Sequence, residues 1–260
     1  MFGESFQVNK YAIKTEGLTK RFGSFTAVDN LNFEIEAGEI FAFLGPNGAG
    51  KTTTVKLMTG LLTPSSGTAV INGFDICKDP MNAKRSFGYV SDQPFVYPYL
   101  TGFEFMRFVG DVYKISPEEQ KAKIPELLEM FELNKWADET IESYSHGMRQ
   151  KLVLASVILH RPSVLFLDEP LVGLDPKSAR LVKEIFNELS GRGVTIFMCT
   201  HVLEIAEKLA KRAGVIFQGK LIALETVETL KLKAKEGGNL EDVFLEITGG
   251  TEYLELLKYL

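Results

Sequence analysis

Cysteine is scarce in this chain, with only Cys77 and Cys199 among 260 residues. Two thiols so far apart build neither a disulfide framework nor a metal cluster, so a reducing cytoplasm is expected. A membrane span is missing too. The longest charge-free stretch, Leu57 to Phe74, is interrupted by Gly60, Pro64, Gly67 and Asn72, too polar to cross a bilayer. The opening residues, MFGESFQVNK, lack the apolar core of a secretion signal. Surplus positive charge is also lacking. Lys plus Arg number 29 against 34 Asp plus Glu, a net charge of −5, which argues against broad capture of nucleic acid, and none is expected as a partner. No low-complexity segment, internal repeat or long linker interrupts the chain.

What is present reads as one large folded domain, with 45% hydrophobic and 24% charged residues, near the globular average. Short apolar runs rich in β-branched and aromatic residues alternate with helical patterns, as in an α/β protein with a largely parallel sheet. Leu31, Phe33 and Ile35 alternate with polar neighbours, like a half-buried strand. The runs at 40–44 (IFAFL), 164–167 (VLFL) and 194–199 (VTIFMC) are apolar throughout and suit strands covered on both faces. Residues 212–224 read as two strands joined at Gln218, Gly219 and Lys220. From Thr101 the texture turns helical. Thr101 with Glu104, and Ser116 with Pro117 and Glu119, have the spacing of helix-start capping boxes. A further helix is predicted from Gly147 to His160, stopped by Pro162 and apolar around most of its circumference. Thr101 to about His160 thus reads as a helical subdomain inserted in an α/β core.

The sharpest signal is Gly45-Pro46-Asn47-Gly48-Ala49-Gly50-Lys51-Thr52, which matches G-x-x-x-x-G-K-[ST]. It follows an apolar strand and precedes a helical pattern from Lys51 to Leu62. Glycines let successive N–H groups converge on a polyphosphate at a helix start whose unpaired donors favour an anion. Lys51 is placed to reach the terminal phosphates, Thr52 to complete a Mg²⁺ shell, and Thr53 to bond another phosphate oxygen. This loop alone does not choose among nucleotide kinases, GTPases, helicases and transport ATPases. The run at 164–167 ends in Asp168-Glu169, two carboxylates at the carboxyl edge of a buried strand, where such sheets bind ligands. Asp168 suits the metal shell, and Glu169 suits a general base acting on water.

Upstream lies Tyr144-Ser145-His146-Gly147-Met148-Arg149-Gln150. With these three motifs in this order, the chain resembles the ATP-binding subunit of an ABC transporter from roughly Ala12 to Gly249. Ser145 and Gly147 keep the core of the family's Leu-Ser-Gly-Gly-Gln signature, whereas His146 stands in place of Gly and Met148 in place of Gln. The resemblance implies a P-loop NTPase core with a mostly parallel sheet, an N-terminal antiparallel β part and the helical insert. The core would take about 1–100 and 161–224, the insert about 101–160, and a helical tail 225–260. It further implies that Phe22 stacks on adenine, that Gly173-Leu174-Asp175 forms a loop crossing between paired subunits, and that His201 contacts the γ-phosphate. Asp92 falls where the family has a metal-ligating Gln, and Gln93 follows it; either is a candidate for that role.

By the same resemblance, ATP with Mg²⁺ is held between Lys51 of one subunit and Ser145 of a second, in a homodimer or with a close paralogue. Hydrolysis then lets the halves part. An integral membrane permease supplies the pathway, which puts the chain on the cytoplasmic face of the cell membrane. Phe95, Val96, Tyr97, Pro98 and Tyr99 lie where the family receives a permease helix, or pack the insert on the core. The signature variant, the segment from Tyr97 to Glu104 and the stretch Leu240 to Leu245 resemble single-cassette type-2 exporters. Tyr253, Leu254, Leu256, Leu257 and Leu260 form either a partner-binding helix or a docked terminal one. A soluble ABC ATPase acting on DNA or ribosomes is the rival reading, opposed by a phosphate loop that occurs once.

Overall fold

A computed structural model describes residues 10–232 and 240–248; the apolar residues noted beyond Gly250 lie outside them. The chain opens with a long hairpin, β1 (Tyr11–Phe22) and β2 (Phe25–Glu36), before β3 (Ile40–Leu44) and α1 (Lys51–Met58). β4 (Ser66–Ile71), β5 (Phe74–Asp75), α2 (Pro80–Ser86) and β6 (Phe87–Val90) follow. The helices α3 (Gly102–Val112), α4 (Pro117–Met130) and α5 (His146–Leu159) come next. The chain then returns through β7 (Val164–Asp168), α6 (Pro176–Gly191), β8 (Thr195–Thr200) and α7 (Leu203–Leu209). It continues through β9 (Arg212–Phe217), β10 (Lys220–Thr226), α8 (Val227–Leu232) and α9 (Leu240–Thr248).

Two sheets form. β2-β1-β4-β5 is antiparallel, and β10-β9-β3-β8-β7-β6 is parallel except for β10. The wholly apolar runs sit at the centre of the larger sheet because both of their faces are covered. In β3, Phe41 and Phe43 face the core beneath the antiparallel sheet, while Ile40, Ala42 and Leu44 face the core shared with the helices. β8 repeats this alternation with Phe197 and Cys199 against Ile196 and Met198. Phe33 of β2 stacks on Phe41 and Phe197 with ring centroids 6.2 Å away in each case. These aromatic contacts join the two sheets.

Local chemistry sets the helix starts. Thr101 makes a complete capping box with Glu104. Ser116 caps α4 through the Glu119 N–H, and Ser145 caps α5 through the Met148 N–H. Some expectations need correction. α1 ends at Met58, not Leu62, because the chain turns at Gly60 (φ 65°) and the Leu61 and Leu62 N–H groups both fall back on Lys56 O. α5 begins at His146, one residue earlier than read. The third central strand runs Thr195–Thr200 and not 194–199, because its ladder starts at Thr195 opposite Val164 and continues to Thr200 opposite Leu44. β10 extends to Thr226, into the stretch read as helical tail.

Candidate functional site

Because β3, β7 and β8 are parallel and adjacent, their carboxyl ends come out along one edge, the place where open α/β sheets bind ligands. Leu44 pairs with Thr200 and Asp168 with Cys199, so residues 45–53, Asp168-Glu169 and Thr200-His201 gather there. A cleft of about 410 Å³ opens at this edge, lined by Phe22, Phe25, Asn47, Lys51, Asp92 and Asp168 among others.

The phosphate loop is held in shape from behind. A Cβ on Gly45 would meet Ile216 O at 2.5 Å, and one on Gly50 would meet Ala27 O at 2.6 Å. Gly50 also has φ 111°, so only glycine fits there. Ala49 O accepts from Gly219 N at 2.9 Å, and Gly219 O accepts from Asp29 N at 2.8 Å. The β9–β10 turn thereby ties the loop to the antiparallel sheet. Lys51 is 7% exposed and donates to Gly45 O at 2.7 Å and Pro46 O at 3.1 Å. Its ammonium lies folded over its own loop, where a phosphate would offer better acceptors. Gly48, Thr52 and Thr53 also line the cleft.

Asp168 is almost wholly buried, and its Oδ2 has no hydrogen-bond partner. Burial pushes its carboxyl up from the ordinary aspartate value, and the charges of Asp92 and Glu169 push the same way. The Thr52 hydroxyl and the Lys51 ammonium oppose them. Three carboxylates beside one ammonium leave a surplus of negative charge that a cation would neutralise. The orphaned oxygen next to Thr52 therefore fits Mg²⁺, a hard ion held by one or two carboxylates together with phosphate oxygens. Among the described residues no trio of His, Cys, Asp or Glu is placed to hold a metal by itself.

Glu169 has φ 50°, a strained conformation for a non-glycine residue. Its N–H donates to Cys199 O at 2.9 Å. Its Oε1 accepts from the His201 N–H at 3.0 Å and lies 2.6 Å from His201 Nδ1. Its Oε2 accepts from Thr200 Oγ1 at 3.1 Å. Oε2 keeps a lone pair for a further donor, such as water.

The structure brings Asp92 to the cleft and leaves Gln93 out of the lining; Asp92 Oδ1 accepts from the Gln93 N–H at 2.9 Å. Phe22 lies exposed at the hairpin tip rather than in the core. Sequence reasoning missed Phe25, which flanks the same cleft across the turn at Gly23 and Ser24. A second aromatic three residues on was the available signal. Ser145 and Gly147 do not line this cleft. They sit at the start of α5, where Gly147 packs toward the Gly173 carbonyl. Phe95 and Tyr99 are 79% and 83% exposed, whereas the Tyr97 ring packs edge-on against Phe108 of α3 at 5.3 Å. No helix among the described residues is long and apolar enough to cross a membrane.

Comparison with known proteins bears on this geometry. The ABC transporter family profile matches residues 28–172. The probable multidrug ABC transporter ATP-binding protein YbhF of Escherichia coli is 38% identical over 239 residues, which cover 90% of this chain but 41% of YbhF; the chain thus spans less than half of that relative. The linearmycin resistance ATP-binding protein LnrL of Bacillus subtilis is 36% identical over 214 residues, covering 82% of this chain and 69% of LnrL. The daunorubicin/doxorubicin resistance ATP-binding protein DrrA of Streptomyces peucetius is 38% identical over 229 residues, 88% of this chain and 69% of its own. A solved ATP-binding subunit of an ABC transporter superposes with a TM-score of 0.85 at 29% identity, covering 91% of this chain and 99% of that one. The ATP-binding cassette MJ0796, a dimer in a post-hydrolysis state with ADP and Pi, superposes at 0.76 with 25% identity, over 82% and 98% of the two chains.

Proposed function

The chain belongs to the ABC transporter family as an ATP-binding cassette, and on that premise we propose that it hydrolyses ATP to drive a separate membrane permease, in the direction of export. The observation that carries this reading is the buried, unpartnered Asp168 Oδ2 beside Thr52, one residue from a carboxylate already oriented by Thr200 and His201. A site that only bound nucleotide would not need that oriented carboxylate.

Phe22 and Phe25 sandwich or flank the base, and the N–H groups of residues 47–52 converge on the phosphates. Lys51 exchanges its two carbonyl acceptors for phosphate oxygens. Thr52 and Asp168, with Asp92 nearby, hold the Mg²⁺, which neutralises charge on the phosphates when bound. Glu169 orients the attacking water through the free side of Oε2 and takes its proton. His201 donates Nδ1–H to Glu169, fixing the ring so that Nε2 faces the γ-phosphate.

Ser145 and Gly147, absent from the lining of this cleft, serve the nucleotide of a second copy or a close paralogue. The helix-start donors of α5 that Ser145 does not cap favour an anion, and a second subunit's nucleotide would supply it. ATP then holds two subunits together, and its hydrolysis removes the contacts that favour the closed pair. Phe95 and Tyr99 are anchors for the permease, an assignment supported by their exposure beside the insert. The drug-resistance names of the relatives support export, and a permease partner puts the chain on the cytoplasmic face of the membrane.

Light scattering of the Glu169→Gln chain tests the reading. ATP-dependent doubling of the mass supports it, and a chain that stays monomeric at saturating ATP, by itself and mixed with a close paralogue, overturns it.

A further inference from the structure

The segment that leaves Glu169 is strapped to the start of α5. Gln150 Nε2 donates to Pro170 O at 3.5 Å. A Cβ on Gly147 would stand 3.3 Å from Gly173 O. Most tightly, a Cβ on Gly173 would stand 2.7 Å from His146 Nδ1 and 3.1 Å from His146 Cε1. The imidazole therefore lies directly over the Gly173 backbone, which has φ 79° and admits no side chain there.

The two ends of this contact belong to different sites. His146 is the first residue of α5, next to the capping Ser145. Four residues before Gly173 stands Glu169, whose strained φ persists only because its surroundings hold it. Val172 N–H donates back to the main-chain O of Glu169 at 3.2 Å, so the turn leading to Gly173 is tied to the backbone that carries the carboxylate. A glycine in place of His146 would leave Gly173 without a lid.

We infer that His146 is a positioning residue: its ring clamps Gly173, so that the position of the serine-capped end of α5 sets the position of Glu169 in the chain's other site. The inference rests on the proposed function, in which that helix end meets the partner's nucleotide. An anion arriving at Ser145 then organises hydrolysis one site away, through a contact within a single chain. His146 and Gly173 both lie outside the lining of the chain's own cleft, so the clamp reaches Glu169 only through the segment between them.

The test compares His146→Gly, His146→Phe and Gly173→Ala in the full chain, each with a thermal melt to check folding. His146→Gly is expected to lower kcat on the order of 10-fold with KM unchanged, since a small misplacement of a catalytic group costs that much. His146→Phe, which keeps a flat ring over Gly173, restores most of the rate. Gly173→Ala lowers kcat as well, and combining it with His146→Gly adds little, as expected for residues acting through one contact. An unchanged kcat, a tighter ATP-dependent dimer without a kcat change, equal loss in the Phe and Gly variants, or additive losses with Gly173→Ala each overturn the inference alone. A Glu169→Gln chain that stays monomeric with ATP, by itself and mixed with a close paralogue, overturns it together with the reading beneath it.

Discussion

The Nδ1 atom of His201 lies 2.6 Å from Oε1 of Glu169, and the backbone N–H of His201 donates to the same oxygen. The two residues end adjacent strands, β8 and β7. Their contact needs no loop flexibility, because the register that sets Asp168 opposite Cys199 brings the next residues together. A carboxylate can only accept from this ring, so Nδ1 carries a proton.

Replacing Glu169 by Gln removes the proton acceptor but preserves size and most hydrogen bonds. Turnover is expected to fall by roughly 10²- to 10⁴-fold while ATP stays bound. Phosphate release and retention of labelled ATP measure the two effects separately, and an unchanged rate would remove Glu169 from the role of base.

His201→Ala removes the ring donor to Glu169 Oε1, which keeps only the backbone N–H of residue 201, and with it the group proposed to meet the γ-phosphate. A loss on the order of 10²-fold in kcat is expected, with ATP affinity changed far less. Single-turnover hydrolysis distinguishes this from a binding defect, which would appear in the dissociation constant.

Lys51→Ala takes away the ammonium now held by Gly45 and Pro46. Nucleotide affinity itself falls, because no other cation among the cleft-lining residues replaces it. Equal ATP binding by variant and parent, followed by titration calorimetry, contradicts the assignment.

Phe22→Ala and Phe25→Ala each remove about 1 kcal/mol of base stacking. Each is expected to weaken ATP several-fold and leave inorganic triphosphate unaffected. If triphosphate weakens in parallel, the two rings shape the phosphate loop and do not read the base.

His160 supplies a pH test of stability away from the site. Its ring stacks on Tyr113 at 3.7 Å, its Nε2 lies 3.2 Å from Phe87 O, and its Nδ1 is buried without a partner. Burial lowers its pKa below the ordinary value of 6.5, against a smaller rise from the Phe87 carbonyl. The unfolded chain thus takes up the proton first. Its contribution to stability is complete above the unfolded pKa and is lost as pH falls below it. Urea midpoints should drop between about pH 7 and about pH 5, and His160→Phe should flatten that slope. Equal slopes would show that His160 is not the group responsible.

Much of the site was legible in the sequence because its chemistry is local. The loop from Gly45 to Thr52 needs glycines and a lysine at fixed spacing, whatever surrounds it, and the apolar run ending at Asp168 declares both its burial and its exit edge. The capping residues Thr101 and Ser116 announced two helix starts for the same reason, since a cap and its partner lie within one turn. The end of α1 was misread because Leu61 and Leu62 extend the apolar pattern past Gly60, and periodicity does not register a left-handed turn.

Tertiary structure alone decided the rest. That Asp92 and not Gln93 lines the cleft depends on a loop whose path is set by β6 and the insert together. That Phe25 joins Phe22, that Gly219 braces the phosphate loop, and that His146 covers Gly173 are facts about residues brought together by strand order and helix docking. The insertion of β8 between β3 and β7 makes neighbours of side chains far apart along the chain. Sequence spacing carries local backbone geometry, whereas contacts across that spacing exist only once burial of the apolar strands has fixed which edges meet.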